Sequence, residues 1–570
     1  MKNKETNLSP WIWPAFFLFL WQVLLLAQNP GLMSDDSGEM AAASYVLGLP
    51  HPPGYPLFCL LGRLVTLLPV GTVAFRLNLF SALLVLISLW FILDTCRRSI
   101  DRKFMGARKG LFFELLLMVL ALGLVSNRSL FSQCLTAKGC IYSLTLLLTT
   151  LVVWVWVRHK GTPAGWSGLL FPAFLWGAGM ANHWPTQVFW VLYLVLIFRK
   201  AIPKPRAKTL FFAMTVGLMG LSLYLYLPLR TLWNPTPCWG NPVHLEGFYW
   251  VVSRRLVAGL EPLIQSPAFY VATLKEFTRI IFLFWPPWSL FLGLLGVVVL
   301  WTSKRDLFLG PALLFFPIFL AVLAVHEEKN IYLVHVYLLS LSGIAGLFVF
   351  WGSVELTRGF KNKTAWMILT GLGIISGAWL VHAHQLEDKS RYILAEDFGT
   401  NALKVLPRGA LLLADGDHYA MPIWYERSVK GQRPDILFEP SVFLYHGWGW
   451  KQLMAQSKDM EPLILSTNTF PGRLDALANR DGAHPFFYSL GTSYLAPVLK
   501  QVPGYLEPWG LLYRWRSDPA GKGARPMGPK GLGAIQRTRG LSDWAGRPEV
   551  DFSTQILFRY YDQQKAQEGL

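Results

Sequence analysis

The residues best suited by type and spacing to acid–base chemistry are the acids of MSDDSGEM: Asp35, Asp36 and Glu39. If a helix starts at Ser34 or Ser37, Asp36 and Glu39 are three apart and share one face. A carboxylate held at a membrane–water boundary suits a general base acting on a substrate with a lipid anchor. The same residues also read as an N-cap with solvated acids. The chain continues GLPHPPGYPL, where three Pro and one Gly within six residues impose a rigid, non-helical path. His51 and Tyr55 are carried on that path, as a preorganised site requires, though a plain structural turn has the same composition.

A second stretch is YLYLPLRTLWNPTPCWGNPVHLEGFYWVVSRR. Arg230 falls at a helix boundary, where a guanidinium can snorkel and pair with a phosphate. Trp239, Phe248, Tyr249 and Trp250 can stack on sugar faces or form an interfacial aromatic belt. Ionisable residues at helix ends add candidates: Arg76 beside Asn78, His183 beside Asn182, and Lys329 in HEEKNIYLVHVYLL. Farther on, Asp415-Gly416-Asp417-His418 follows a strand-like ALLLA, as a turn or as a group that holds a metal or a sugar hydroxyl. The five Cys have no CxxC spacing, though a Cys134–Cys140 bridge is open to them. There is no Walker loop, GxGxxG or HExxH, and no internal repeat.

These residues must be positioned by a membrane protein. Hydrophobic residues make up 53% of the 570 and charged residues 15%, against roughly 25% charged in soluble domains. Eleven apolar runs are read as spans, over 11–28, 73–93, 110–126, 141–157, 164–181, 185–198, 209–228, 279–300, 307–325, 333–351 and 365–382. Residues 57–68 are apolar but too short to span, and read as an interfacial or re-entrant helix. With the N-terminus inside, the inner loops hold 20 Lys/Arg and the outer side before residue 383 holds ten, which sets the orientation. The net charge of +18 is then a topology signal more than a nucleic-acid patch. The first run reads as a retained span, not a removed signal peptide.

Of 34 acids, 14 lie in residues 1–382 and 20 in residues 383–570. That shift divides the chain into a transmembrane domain (1–382, outer loops 29–72 and 229–278) and an extracytoplasmic mixed α/β domain (383–570). Strands are expected at 410–414 and 435–439, a helix at 420–429, and a flexible basic Gly/Pro-rich stretch at 517–548.

DSGEMAAASYVLGLPHPPGYPLFCLLGRL followed by FRLNLFSAL resembles the N-terminal signature of the transmembrane O-mannosyltransferases long filed as a domain of unknown function. The resemblance extends to MANHWP, to YLYLPLRTLWNPTPCWGNPVHLEGF and to ADGDHYAMPIWYERSVKGQRPDILF, and covers most of residues 1–440. One departure stands out: SQCLTAKGCIY carries Lys138-Gly139-Cys140 where the family pattern has an acid before the Tyr.

The resemblance implies a GT-C glycosyltransferase of a bacterial plasma membrane that transfers a sugar from a polyprenyl phosphate to an acceptor outside. It implies Asp36 as the catalytic base and Glu39 as its partner. Asp35, His51, Tyr55, Arg76, His183, Arg230, Trp239, Asn241 and Lys329 are the expected substrate-binding residues, with Arg230 and Arg76 on the phosphate. No cofactor is required by this reading, and a divalent metal is left open. The expected partners are the lipid-linked donor, a protein, glycan or lipid acceptor, and membrane lipids. A transporter or flippase of lipid-linked precursors is the competing reading. It is disfavoured by acids at the boundary instead of the midplane and by the lack of repeats.

Overall fold

The computed structural model describes residues 11–101, 110–159, 167–201, 207–254, 267–325, 334–460, 469–478, 484–489 and 504–516. Lys329 and the 517–548 stretch lie outside them. The chain opens with α1 (Ile12–Leu26), α2 (Ser37–Val46), α3 (Pro56–Thr66), α4 (Val73–Ser99), α5 (Leu111–Val125), α6 (Arg128–Gln133) and α7 (Gly139–Arg158). Over the described residues the expected apolar runs fall on helices, except that 185–198 and 279–300 each straddle a break between two helices. Among the described residues five helices are long and apolar enough to cross a membrane: Val73–Ser99, Gly139–Arg158, Lys208–Thr231, His335–Arg358 and Asn362–Glu387. A sixth results if Pro267–Phe284 and Pro287–Ser303, bent by 111°, make one broken span. Two of the further runs fall short because α1 and α5 are only 15 residues each, near 22 Å at 1.5 Å per residue. The run at 57–68 becomes α3, 11 residues long, entered through Pro56.

Local chemistry fixes several ends. The Thr72 hydroxyl caps α4 by accepting Phe75 N–H at 3.1 Å, and Asn127 caps α6 by accepting Leu130 N–H at 3.0 Å. The Ser167–Gln187 helix kinks at His183, whose φ/ψ of −150°/78° breaks the helix just before Pro185. All five cysteines are buried and free, so no Cys134–Cys140 bridge forms.

Beyond residue 387 the chain forms a five-stranded sheet in the order β2-β1-β3-β5-β4: Leu411–Ala414 (β1), Leu437–Pro440 (β2), Phe486–Ser489 (β3), Tyr505–Trp509 (β4) and Leu512–Arg516 (β5). β1 pairs in parallel with β2 and β3, with Leu411 opposite Leu437 and Phe486. The helix Asp417–Ser428 connects β1 to β2. This agrees with the strand, helix and strand expected near 410–439.

The compositional boundary is not a boundary in packing. Met33 and Trp239, from the stretches 29–72 and 229–278, share one core with Trp424, Phe438 and Phe443 of the tail. Tyr425 belongs in turn to the core that holds Met40, Tyr55, Leu227 and Cys238. Its hydroxyl accepts Ala74 N–H at 3.3 Å, and the Tyr392 hydroxyl donates to Ser34 Oγ at 2.8 Å. Gly38 makes the closest approach possible: a Cβ there would lie 2.3 Å from the carbonyl oxygen of Met421.

Candidate functional site

The site is built on α2. Its sequence SGEMAAASYV is small enough that residues 37–44 are all buried between α3, α4 and the tail helix. Asp36 stands at the N-cap position, where its carbonyl accepts Met40 N–H at 2.9 Å. Its side chain makes no capping bond. The cap is instead served by Asp35, whose Oδ1 accepts Ser37 N–H at 2.9 Å. The Asp36 carboxylate is thereby free to turn to Lys138, whose Nζ lies 2.7 Å from Oδ2.

Glu39, one turn on, is fully buried. Its Oε1 accepts the His51 backbone N–H at 2.9 Å and the Trp239 indole N–H. Its Oε2 lies 2.5 Å from His51 Nδ1, and the Tyr55 hydroxyl is 3.1 Å from His51 Nε2. The rigid HPPGYP path thus delivers both ring nitrogens to defined partners. Tyr55 takes a left-handed φ of 43°, uncommon for a residue with a side chain. Strain of this kind collects at functional sites. The Tyr55 ring stacks on His183 at 6.3 Å and 8°, and His183 in turn meets Tyr142 and Tyr337.

The tail closes the other side. His418 Nδ1 lies 3.0 Å from the Ser34 carbonyl oxygen. Asp417, at the start of the helix after β1, feels the charges of Asp36, His418, His51 and Lys138. The net result is four acids, Asp35, Asp36, Glu39 and Asp417, gathered around one lysine and two histidines.

Their protonation follows from this crowding. Burial pushes the Asp36 carboxyl up, but the Lys138 ammonium, with His51 and His418, overrides it and holds the group at about 2. Burial alone would lower His51, and the Glu39 carboxylate reverses that and raises it. Burial likewise raises the Glu39 carboxyl, against the opposing pull of His51. Burial raises Asp35 and Asp417, and the neighbouring Asp36 adds to both shifts. Among the described residues no group of three His, Cys, Asp or Glu is disposed to hold a metal ion.

Of the residues expected from sequence, Asp35, Asp36, Glu39, His51, Tyr55, His183 and Trp239 come together. Three do not. Arg230 donates from Nε to Leu47 O and from Nη2 to Val46 O, both at 2.9 Å. Arg76 donates to the carbonyls of Val70, Thr66 and Gly71 at 2.7, 2.6 and 3.0 Å. Both guanidiniums staple loop backbone, because a left-handed Leu47 and a turn at Gly71 leave carbonyls that need donors. Asn241, at φ 44°, shapes the turn after Trp239. Sequence reasoning did not assign Lys138, Asp417 and His418 to the site. Their signals were the lysine in TAKGCIY and the ADGDH after a strand.

The chain superposes on ArnT from Cupriavidus metallidurans bound to undecaprenyl phosphate, with a TM-score of 0.51 and 12% identity over 91% of this chain and all of that one. The fold is of the GT-C type. Residues 36–206 match the family model described as the protein O-mannosyl-transferase TMEM260 N-terminal domain. The match begins at Asp36 and takes in Lys138 and His183. The chain is 25% identical over 479 residues to protein O-mannosyl-transferase TMEM260 of Mus musculus, covering 76% of this chain and 63% of that protein. It is 23% identical over 467 residues to protein O-mannosyl-transferase tmem260 of Dictyostelium discoideum, covering 72% and 55%. It thus spans less than two thirds of the length of these curated relatives.

Proposed function

We propose that this chain is a membrane glycosyltransferase that moves a hexose such as mannose from a polyprenyl-phosphate donor to a hydroxyl acceptor on the extracytoplasmic side. The observation that carries the reading is the Asp36 carboxylate. It is withheld from helix capping, lies beside a lysine, and sits where the outer loops and the tail meet. The names of the mouse and Dictyostelium relatives support mannosyl transfer to protein. The ligand of the ArnT structure supports a polyprenyl phosphate as the lipid.

In this reading the acceptor oxygen attacks the anomeric carbon as its proton passes to Asp36. The bond from that carbon to the phosphate oxygen breaks, and polyprenyl phosphate leaves with the electron pair and one more negative charge. Configuration inverts. Glu39 holds His51 charged and oriented, and the aromatic wall of Tyr55, His183 and Trp239 excludes water from the sugar. The N-terminus faces the cytoplasm, and the acceptor is a protein Ser/Thr, a glycan or a lipid.

The test is turnover by purified protein in detergent or vesicles, with polyprenyl-phosphate mannose and an acceptor peptide. Release of polyprenyl phosphate together with a new glycosidic bond supports the assignment. Movement of the lipid-linked sugar across vesicles with no new bond would establish the transporter reading instead.

A further inference from the structure

The residues first expected to meet a donor phosphate are engaged elsewhere. Arg230 and Arg76 hold backbone carbonyls. Arg128, another arginine at a helix end, is also taken: it holds Glu387 at 2.9 Å while lying over Phe284. Lys138 is differently placed. Its backbone is fixed: its N–H donates to Ser37 Oγ at 3.3 Å, and the next residue, Gly139, packs so tightly that a Cβ would lie 1.8 Å from Gln133 O. Its side chain is a flexible four-carbon stem ending in a point charge, only 19% exposed, with Asp36 as its ion-pair partner. Asp35 and Asp417 lie within its electrostatic reach. A fixed root and a movable tip, in a site crowded with acids, describe a cation that can exchange one anion for another.

The exchange has a chemical purpose. A carboxylate locked to an ammonium is a weak base, whereas base catalysis works best with a group poised near the working pH. The phosphodiester of a polyprenyl-phosphate sugar carries one negative charge and gains a second as the sugar leaves. An ammonium moved from Asp36 to that phosphate restores the basicity of Asp36 and stabilises the leaving group at once.

We propose that Lys138 is a donor-sensing residue: its ammonium rests on Asp36 in the free protein and passes to the phosphate of a polyprenyl-phosphate donor on binding, releasing Asp36 to act as base. The proposal rests on the function given above. It ties activation of the base to occupancy of the donor site and so suppresses futile deprotonation without donor. Arg254, whose charge reaches Tyr55 and His183, is a second cation near the sugar wall.

The test is equilibrium binding of undecaprenyl phosphate to the full chain in detergent, with undecaprenol and inorganic phosphate as separate control ligands. Asp36→Asn removes the competing anion and tightens binding about tenfold, inside the 5–150-fold range usual for coupled sites. Lys138→Gln weakens binding by a similar factor. In the Asp36→Asn/Lys138→Gln double variant the gain from Asp36→Asn disappears, whereas with Lys138→Arg it persists. A gain of equal size with and without Lys138 is simple charge repulsion and overturns the proposal. So does the absence of any gain in Asp36→Asn, a variant that leaves the lysine in place and needs no folding control from it. Wild-type protein that binds undecaprenol as tightly as undecaprenyl phosphate overturns the donor assignment itself. Binding of inorganic phosphate alone at the same affinity overturns the lipid as its source.

Discussion

Lys138 lies 2.7 Å from Asp36, bringing the turn before α7 onto the N-terminus of α2 across a hundred residues of chain. The pairing makes the departure in SQCLTAKGCIY a part of the site. Asp36→Asn should lower transfer by about 10²–10⁴-fold, the usual range for a lost general base, and should also lower the melting temperature, because Lys138 loses its carboxylate partner. Transfer rates and differential scanning fluorimetry on the same preparations check this, and full turnover by Asp36→Asn would remove it from the role.

The Glu39–His51 pair should behave as a buried ion pair. His51→Ala leaves the carboxylate with the Trp239 indole and one backbone N–H, and breaking such a pair typically costs about 3–5 kcal/mol. The sign with pH follows from the raised His51. Its contribution is fully present below about 6.5 and is lost as pH rises through the higher folded value. Unfolding monitored between pH 6 and 9 should show this dependence in the wild type and not in His51→Ala.

Arg230 is expected to act on the loop and not on the lipid. Its two charge-assisted bonds to Val46 O and Leu47 O predict a loss of roughly 2–3 kcal/mol in Arg230→Ala. Lysine should rescue poorly, having no fork to reach both carbonyls. Undecaprenyl phosphate affinity of Arg230→Lys, measured beside its thermal stability, separates the two roles. A selective fall in affinity restores the phosphate role.

Gly38→Ala should separate α2 from the tail helix. The new Cβ meets backbone, the Met421 carbonyl at 2.3 Å, so no side-chain rotation relieves it. Both transfer and resistance to limited proteolysis of residues 388–516 should fall together. Unchanged proteolysis would mean the contact is not needed to hold the tail.

In the tail, burial raises Glu439 to about 8, against the opposing pull of Arg427 and the Gln456 amide. A carboxyl raised on folding takes up a proton, so stability is highest below about 4.5 and falls as pH rises toward 8. The full effect is on the order of 3–5 kcal/mol at one pK unit per 1.36 kcal/mol. Glu439→Gln should flatten the curve and stabilise the protein at pH 8, as read from denaturant midpoints.

Asp35, Asp36 and Glu39, the stiff His51–Tyr55 path and Trp239 were legible as candidates because rare polar types in an apolar chain need a reason. The short strands at 411–414 and 437–440 were legible from apolar runs with turn signals at their ends. The roles of Arg76 and Arg230 were not legible. A guanidinium at a helix end has the same sequence signature whether it meets a phosphate or a carbonyl. The outcome depends on which loop carbonyls lack partners, and that is a property of the turn in three dimensions.

The sequence by itself determined that this is a membrane chain with an acid-rich tail, because apolar runs and charge counts depend on local composition. It offered Asp36 as a candidate base through the DSGE motif and the family resemblance. Tertiary structure alone decided that Lys138 neutralises Asp36, that Glu39 orients His51, and that Asp417 and His418 return from nearly four hundred residues away to close the site. Such pairings are set by how the cores of loop and tail interlock, and no local pattern encodes which distant charge will arrive.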